Sequence, residues 1–186
     1  STAAAKGPLS VAVLYFGATG NASYGYFGGG YPGPSPKSTV SRIDYSSDTD
    51  AAASKGPLSF SNKKLAATGN GDYGYFAGGG DPGPNITTVS RIDYSNDTAT
   101  AVAKGPLATA VRYAAGTGST NYGYFIGGLD GPENDDQVST IQRVDFSNDT
   151  ATASPKGLLS VANRSQGAMS PQANSFGSET VYPWYD

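Results

Sequence analysis

The chain has 186 residues, 12 of them basic and 15 acidic, for a net charge of −3, and it contains neither Cys nor His. That balance argues against the basic stripe nucleic acid calls for, and the missing residue types exclude disulfides, thiolate metal sites and the commonest general base. No apolar run approaches the ~20 residues that span a bilayer, so no membrane insertion is expected.

Glycine (26) and tyrosine (13) are abundant among short apolar runs, which suits an all-β protein with many turns. No dozen residues keep a 3.6-residue period free of Gly or Pro, so helix is not expected. The start, Ser1-Thr2-Ala3-Ala4-Ala5-Lys6, lacks the charged and apolar regions of a secretory leader.

In chain order, Leu9–Thr19 reads as a first strand ending at the turn signal Gly20-Asn21. Tyr24–Gly28 is the second, running into Gly29-Gly30. Tyr31-Pro32-Gly33-Pro34-Ser35-Pro36 is a stiff loop, because three prolines fit neither helix nor strand. Thr39–Tyr45 is the third strand, with Val40, Arg42 and Asp44 on one face and Ser41, Ile43 and Tyr45 on the other. Ser46-Ser47-Asp48 is a tight turn, and Thr49–Ser54 a small, Ala-rich fourth strand stopped by Gly56-Pro57.

The whole series then repeats. Tyr-Gly-Tyr-Phe stands at 24–27, 73–76 and 122–125, a spacing of 49 residues, each time before a diglycine (Gly29-Gly30, Gly79-Gly80, Gly127-Gly128). Arg-Ile-Asp-Tyr at 42–45 and 91–94 becomes Arg-Val-Asp-Phe at 143–146, with three extra residues in the third glycine loop. Lys-Gly-Pro-Leu at 6–9, 55–58 and 104–107 becomes Lys-Gly-Leu-Leu at 156–159. Four short strands per unit of this length is the arithmetic of a propeller blade.

The ordered series Tyr26-Phe27…Gly29-Gly30, Ser41-Arg42-Ile43-Asp44-Tyr45, Asp48-Thr49 and Pro57-Leu58 resembles the kelch repeat of β-propellers, over about Leu9–Ser154. It departs from it where kelch units carry a fourth-strand Trp: here stand Ala52, Ala101 and Ala153, which leaves blade packing thinner or filled by tyrosines. Units this alike also resemble those of structural and fibre proteins of marine phages, especially phages of cyanobacteria. The resemblance implies one all-β domain over 1–186, with blades at about 9–55, 58–104 and 107–156. A degenerate fourth blade would be latched by 1–8 with 157–186; an open arc completed by oligomerisation is the alternative.

Most repeated residues read as scaffold. Gly29, Gly30, Gly79, Gly80, Gly127 and Gly128 lack the helix and Lys-Ser/Thr of a phosphate loop and suit close backbone passage or positive φ. The pairs Arg42/Asp44, Arg91/Asp93 and Arg143/Asp145 recur in every unit, which marks structural ion pairs or turn caps rather than a single ligand site. Asn85-Ile86-Thr87 and the Asn-Asp-Thr turns at 96–98 and 148–150 match glycosylation acceptors but equally suit tight turns.

Specificity is expected where the units differ. Tyr31, Asp81, Asp130, Asp135 and Asp136 in the glycine loops are the candidate ligand residues. The acidic third loop could offer carboxylates to Ca²⁺ but reads as a solvated loop, so no metal or cofactor is expected. Tyr182, Trp184 and Tyr185 form an aromatic tail for packing or for docking a partner. The expectation is a non-catalytic structural and binding module of a virion, a tail fibre or decoration protein. Its partners would be other virion or surface proteins, copies of itself or a host glycan. A secreted or cell-surface filament or sheath subunit is the alternative.

Overall fold

A computed structural model describes residues 2–80, 83–131, 136–165 and 167. They form three antiparallel four-stranded sheets, one per repeat. The first holds β1 (Gly17–Gly20), β2 (Tyr24–Gly28), β3 (Val40–Asp44) and β4 (Ala53–Lys55) in chain order. The second holds β5 (Ala66–Gly69), β6 (Tyr73–Ala77), β7 (Val89–Asp93) and β8 (Val102–Lys104). The third holds β9 (Ala115–Gly118), β10 (Tyr122–Ile126), β11 (Thr140–Asp145) and β12 (Ser154–Leu158). Among the described residues the only helical pieces are 3₁₀ turns at Tyr45–Ser47, Tyr94–Asn96 and Phe146–Asn148.

Local chemistry sets each strand end. The Asn21 side chain accepts from the amides of Ser23 and Tyr24 and closes the β1–β2 hairpin; Asn70 does the same for Asp72 and Tyr73. Each third strand stops where its last aspartate turns back: Asp44, Asp93 and Asp145 accept from the amides of Ser46, Ser95 and Ser147, all at 2.9 Å.

Two strand expectations change. The first strand is much shorter than Leu9–Thr19 because Tyr15 takes a left-handed backbone (φ 60°) and Leu14 bridges to Tyr31, leaving four residues to pair with β2. The fourth strand begins later than Thr49 because the turn before it is bonded to the preceding Lys-Gly-Pro segment. Gly7 donates to Asp48 and Ala52 to Pro8, and the same pair of bonds recurs as Gly56 to Asp97 and Ala101 to Pro57.

The third sheet adds a variation with a clear cause. Pro57 and Pro106 have no N–H for a ladder, whereas Leu158 in the same place has one. β12 therefore runs on, past a register shift, to pair Leu158 with Thr140.

The core lies between sheets. One cluster joins Tyr26 and Val40 of the first sheet to Ala67, Phe76, Ile92 and Ala101 of the second. The other joins Tyr75, Ala77 and Val89 of the second to Phe125, Val144 and Ala153 of the third. Alternation along β6 sends Tyr75 to one neighbour and Phe76 to the other, so the middle sheet is buried on both faces. Ala52, Ala101 and Ala153 are buried, and the space beside two of these joints is taken by stacked rings: Tyr26 on Tyr94 at 4.6 Å and Tyr75 on Phe146 at 4.7 Å.

The diglycines turn the chain out of each second strand with positive φ. The pairs that do this are Gly29-Gly30, Gly78-Gly79 and Gly127-Gly128. Gly79 and Gly80 were the expected pair in the second unit; the 49-residue period moves it one residue back, and Gly80 keeps an ordinary φ. Thr2 to Pro8, expected to supply a latching strand, belong to no sheet among the described residues.

Candidate functional site

Each joint between sheets centres on a buried aspartate. Asp97 Oδ2 accepts from Arg42 Nη1 at 2.7 Å and from the Tyr26 hydroxyl at 2.9 Å, while Oδ1 faces Lys55 Nζ at 3.1 Å. Asp149 receives Arg91, Tyr75 and Lys104 at 2.7, 3.0 and 3.1 Å. Donors and acceptor come from successive repeats, so the clamp ties each unit to the next. Burial alone would raise the Asp97 pKa; the Tyr26 and Lys55 hydrogen bonds and the Arg42 charge outweigh it and hold the carboxyl below its usual range. Burial and then the nearby carboxylate push the Tyr26 and Tyr75 hydroxyls well above the ordinary tyrosine value. A carboxylate held by three donors from the neighbouring repeat fastens the two units together.

The expected pairing of Arg and Asp within one strand therefore divides in two. Arg42 and Arg91 reach across to the next unit, and each guanidinium also lies over a tyrosine ring of its own sheet, Tyr24 at 4.1 Å and Tyr73 at 4.2 Å. Asp44, Asp93 and Asp145 stay at home as turn caps. Hydrogen bonds from Ser46, Ser95 and Ser147 hold their carboxyls below the usual range. Arg143 covers the Tyr122 ring at 4.1 Å but has no carboxylate partner among the described residues.

A second repeated feature escaped the reading of the sequence. Tyr15, Lys64, Tyr113 and Ser165 all have left-handed backbones and are linked in series, the amides of Lys64, Tyr113 and Ser165 each donating to the carbonyl of the residue one unit before. The Tyr15 and Tyr113 rings meet edge to face at 5.9 Å, with the Lys64 ammonium 5.2 Å from Tyr113. The 49-residue offset between Tyr15, Lys64 and Tyr113 was the available signal, hidden because a lysine stands between the two tyrosines.

Among the loop candidates, Tyr31 is half-buried. Its hydroxyl donates to the Pro34 carbonyl at 3.1 Å, and Lys63 Nζ stands 4.0 Å over its ring. It borders an apolar hollow of 280 Å³ with Val13, Leu14 and Pro32. Asp130 and Asp136 are exposed, and the Asp130 amide points to the Asp136 carbonyl at 3.4 Å. Asp81, Asp135, Tyr182, Trp184 and Tyr185 lie outside the described residues. The second and third loops are stitched together: Asn85 donates to the Leu129 carbonyl at 2.8 Å and accepts from Arg112 at 2.9 Å.

Two polar clefts recur along the hairpin ends. Tyr24, Tyr73, Asp93 and Tyr94 border one of 340 Å³; Asn121, Tyr122, Asp145 and Phe146 border its equivalent of 460 Å³ one unit on. Among the described residues, no three His, Cys, Asp or Glu side chains gather to hold a metal, and no helix is long and apolar enough to cross a membrane.

Compared with known proteins, the chain matches no family model and no curated protein.

Proposed function

We propose that the three sheets are blades of a kelch-like propeller, and that the chain is a non-catalytic structural and binding module of a virion, a tail fibre or decoration protein. The carrying observation is a division of labour among residues. Tyr, Arg, Lys and Asp common to the units are consumed in the Asp97 and Asp149 clamps, while the glycine loops differ from unit to unit. Loops on a rigid repeated frame are where recognition is tuned. Tyr31 beside its apolar hollow has the amphipathic character that suits a protein side chain or the apolar face of a sugar. The virion setting rests on the resemblance of the repeats alone.

The test has two arms. A glycan array and pull-downs with virion proteins compare the chain with Tyr31→Ala; binding that falls at least ~10-fold in the variant supports the loops as the recognition surface. Labelling of intact particles then locates the chain. Binding unchanged by loop substitutions, or hydrolysis of an arrayed glycan, would overturn the reading.

The alternative, a secreted or cell-surface self-assembling subunit, is favoured by one observation: among the described residues, Asp48 at the outer face of the first sheet meets only Lys6, and Arg143 at that of the third sheet meets no carboxylate.

A further inference from the structure

The repeat makes each sheet a donor to the next and an acceptor from the one before. The two end sheets are each missing one half. In the first sheet, Asp48 occupies the place of Asp97 and Asp149, yet among the described residues only Oδ1 is engaged, by Lys6 at 3.1 Å, and the side chain is 44% exposed against 8% and 9% for the other two. Tyr45, in the place of Tyr94 and Phe146, stacks on no ring among the described residues and is 53% exposed. In the third sheet, Tyr124, Arg143 and Lys156 occupy the places of Tyr75, Arg91 and Lys104. Among the described residues none of the three side chains has a carboxylate partner, whereas Arg91 and Lys104 both reach Asp149.

We infer that the third sheet of one copy docks on the first sheet of another, remaking the internal joint between chains. Arg143 and the Tyr124 hydroxyl meet Asp48 Oδ2, and the Tyr124 ring stacks on Tyr45. Lys156-Gly157 takes the place that Lys6-Gly7 holds against Asp48, so the receiving chain's own segment moves aside. The occupant is a second copy because charge and ring positions match those of the two joints already present. Within one chain the alternatives are weaker. Residues 166–186 contain no Arg or Lys, so they cannot supply the guanidinium Asp48 lacks. Two copies joined head to tail at both ends give six blades and a closed ring. The inference rests on blade geometry and stands whether or not the loops bind a glycan.

Sedimentation velocity on the full chain tests it, with Asp48→Lys and Arg143→Glu as variants. Wild type sediments as a dimer. Each variant alone presents like charges at its joints and dissociates at least ~100-fold more readily. An equimolar mixture regains the dimer, because Glu meets Lys at one joint and Arg meets Asp at the other; that regain also shows both variants folded. A wild-type monomer at every concentration would overturn the inference, the chain's own residues then covering both faces. So would variants that dimerise alone as tightly as wild type, or a mixture that stays monomeric.

Discussion

Asp48, Asp97 and Asp149 are one residue of the repeat in three environments, and their environments set what each is worth. Asp97→Ala removes the acceptor of Arg42, Lys55 and Tyr26 and leaves two cations at a buried site. Breaking such a pair from one side destabilises by about 3–5 kcal/mol. Asp48→Ala removes one exposed contact to Lys6, for which about 0–1 kcal/mol is expected. Urea denaturation of both variants below the concentration of association checks the contrast. The clamp also has a pH signature. The Asp97 pKa is depressed on folding, so its contribution is complete above the unfolded aspartate value of about 3.9 and is lost as pH falls through the lower folded value. Tyr26 and Tyr75 are raised, so their contribution is complete below about pH 10 and is lost as pH rises towards the folded values. Stability should therefore decline from about pH 10 upward, with the phenolate absorbance of these two residues appearing together with unfolding; ionisation of all tyrosines at about pH 10 in a folded chain would contradict it. The aspartate caps were legible in the sequence, because cap and capped amide are neighbours. The clamps were not: a run of Arg-x-Asp shows a charge pair but not that the arginine's partner stands one repeat away, 55 residues on, at Asp97.

At the scale of elements, the Lys-Gly-Pro segment is what spaces one sheet from the next. A Cβ on Gly105 would stand 2.0 Å from the Ala151 carbonyl oxygen, and one on Gly56 would meet Ala99 at the same distance. Neither neighbour is the end of a flexible side chain, so the backbone must shift. Gly105→Ala is expected to destabilise by about 1–3 kcal/mol or more, as overpacking does. Gly71→Ala, where a Cβ meets nothing within 4 Å, serves as the control in the same thermal melts. The second and third strands were readable within a residue or so, because Tyr-Gly-Tyr-Phe and Arg-Ile-Asp alternate cleanly between bounded turns. The first and fourth were misjudged for a physical reason. Their residues carry strand-like composition, but Leu9–Phe16 and Thr49–Ala52 give their hydrogen bonds to neighbouring loops and to the incoming connector, and composition does not say where a hydrogen bond goes.

For the whole molecule, the arrangement of cores decides how it unfolds. Three sheets share two cores, and the middle sheet belongs to both. Stability is then close to a sum of units and joints, as in linear repeat arrays. Removing one joint should detach one end without dissolving the other. Asp149→Ala weakens the joint between the second and third sheets and leaves the Asp97 clamp and the core around Tyr26 and Phe76 intact. Native-state hydrogen exchange on this variant should show β9–β12 opening at least ~10-fold more often than in wild type, with protection in β1–β4 nearly unchanged. Asp97→Ala should reverse the pattern, exposing β1–β4 and sparing β9–β12. The series of backbone bonds through Tyr15, Lys64, Tyr113 and Ser165 runs past both joints and sets a limit on this independence. If it couples the units strongly, both variants will raise exchange equally in all three sheets, and the nearest-neighbour account will fail.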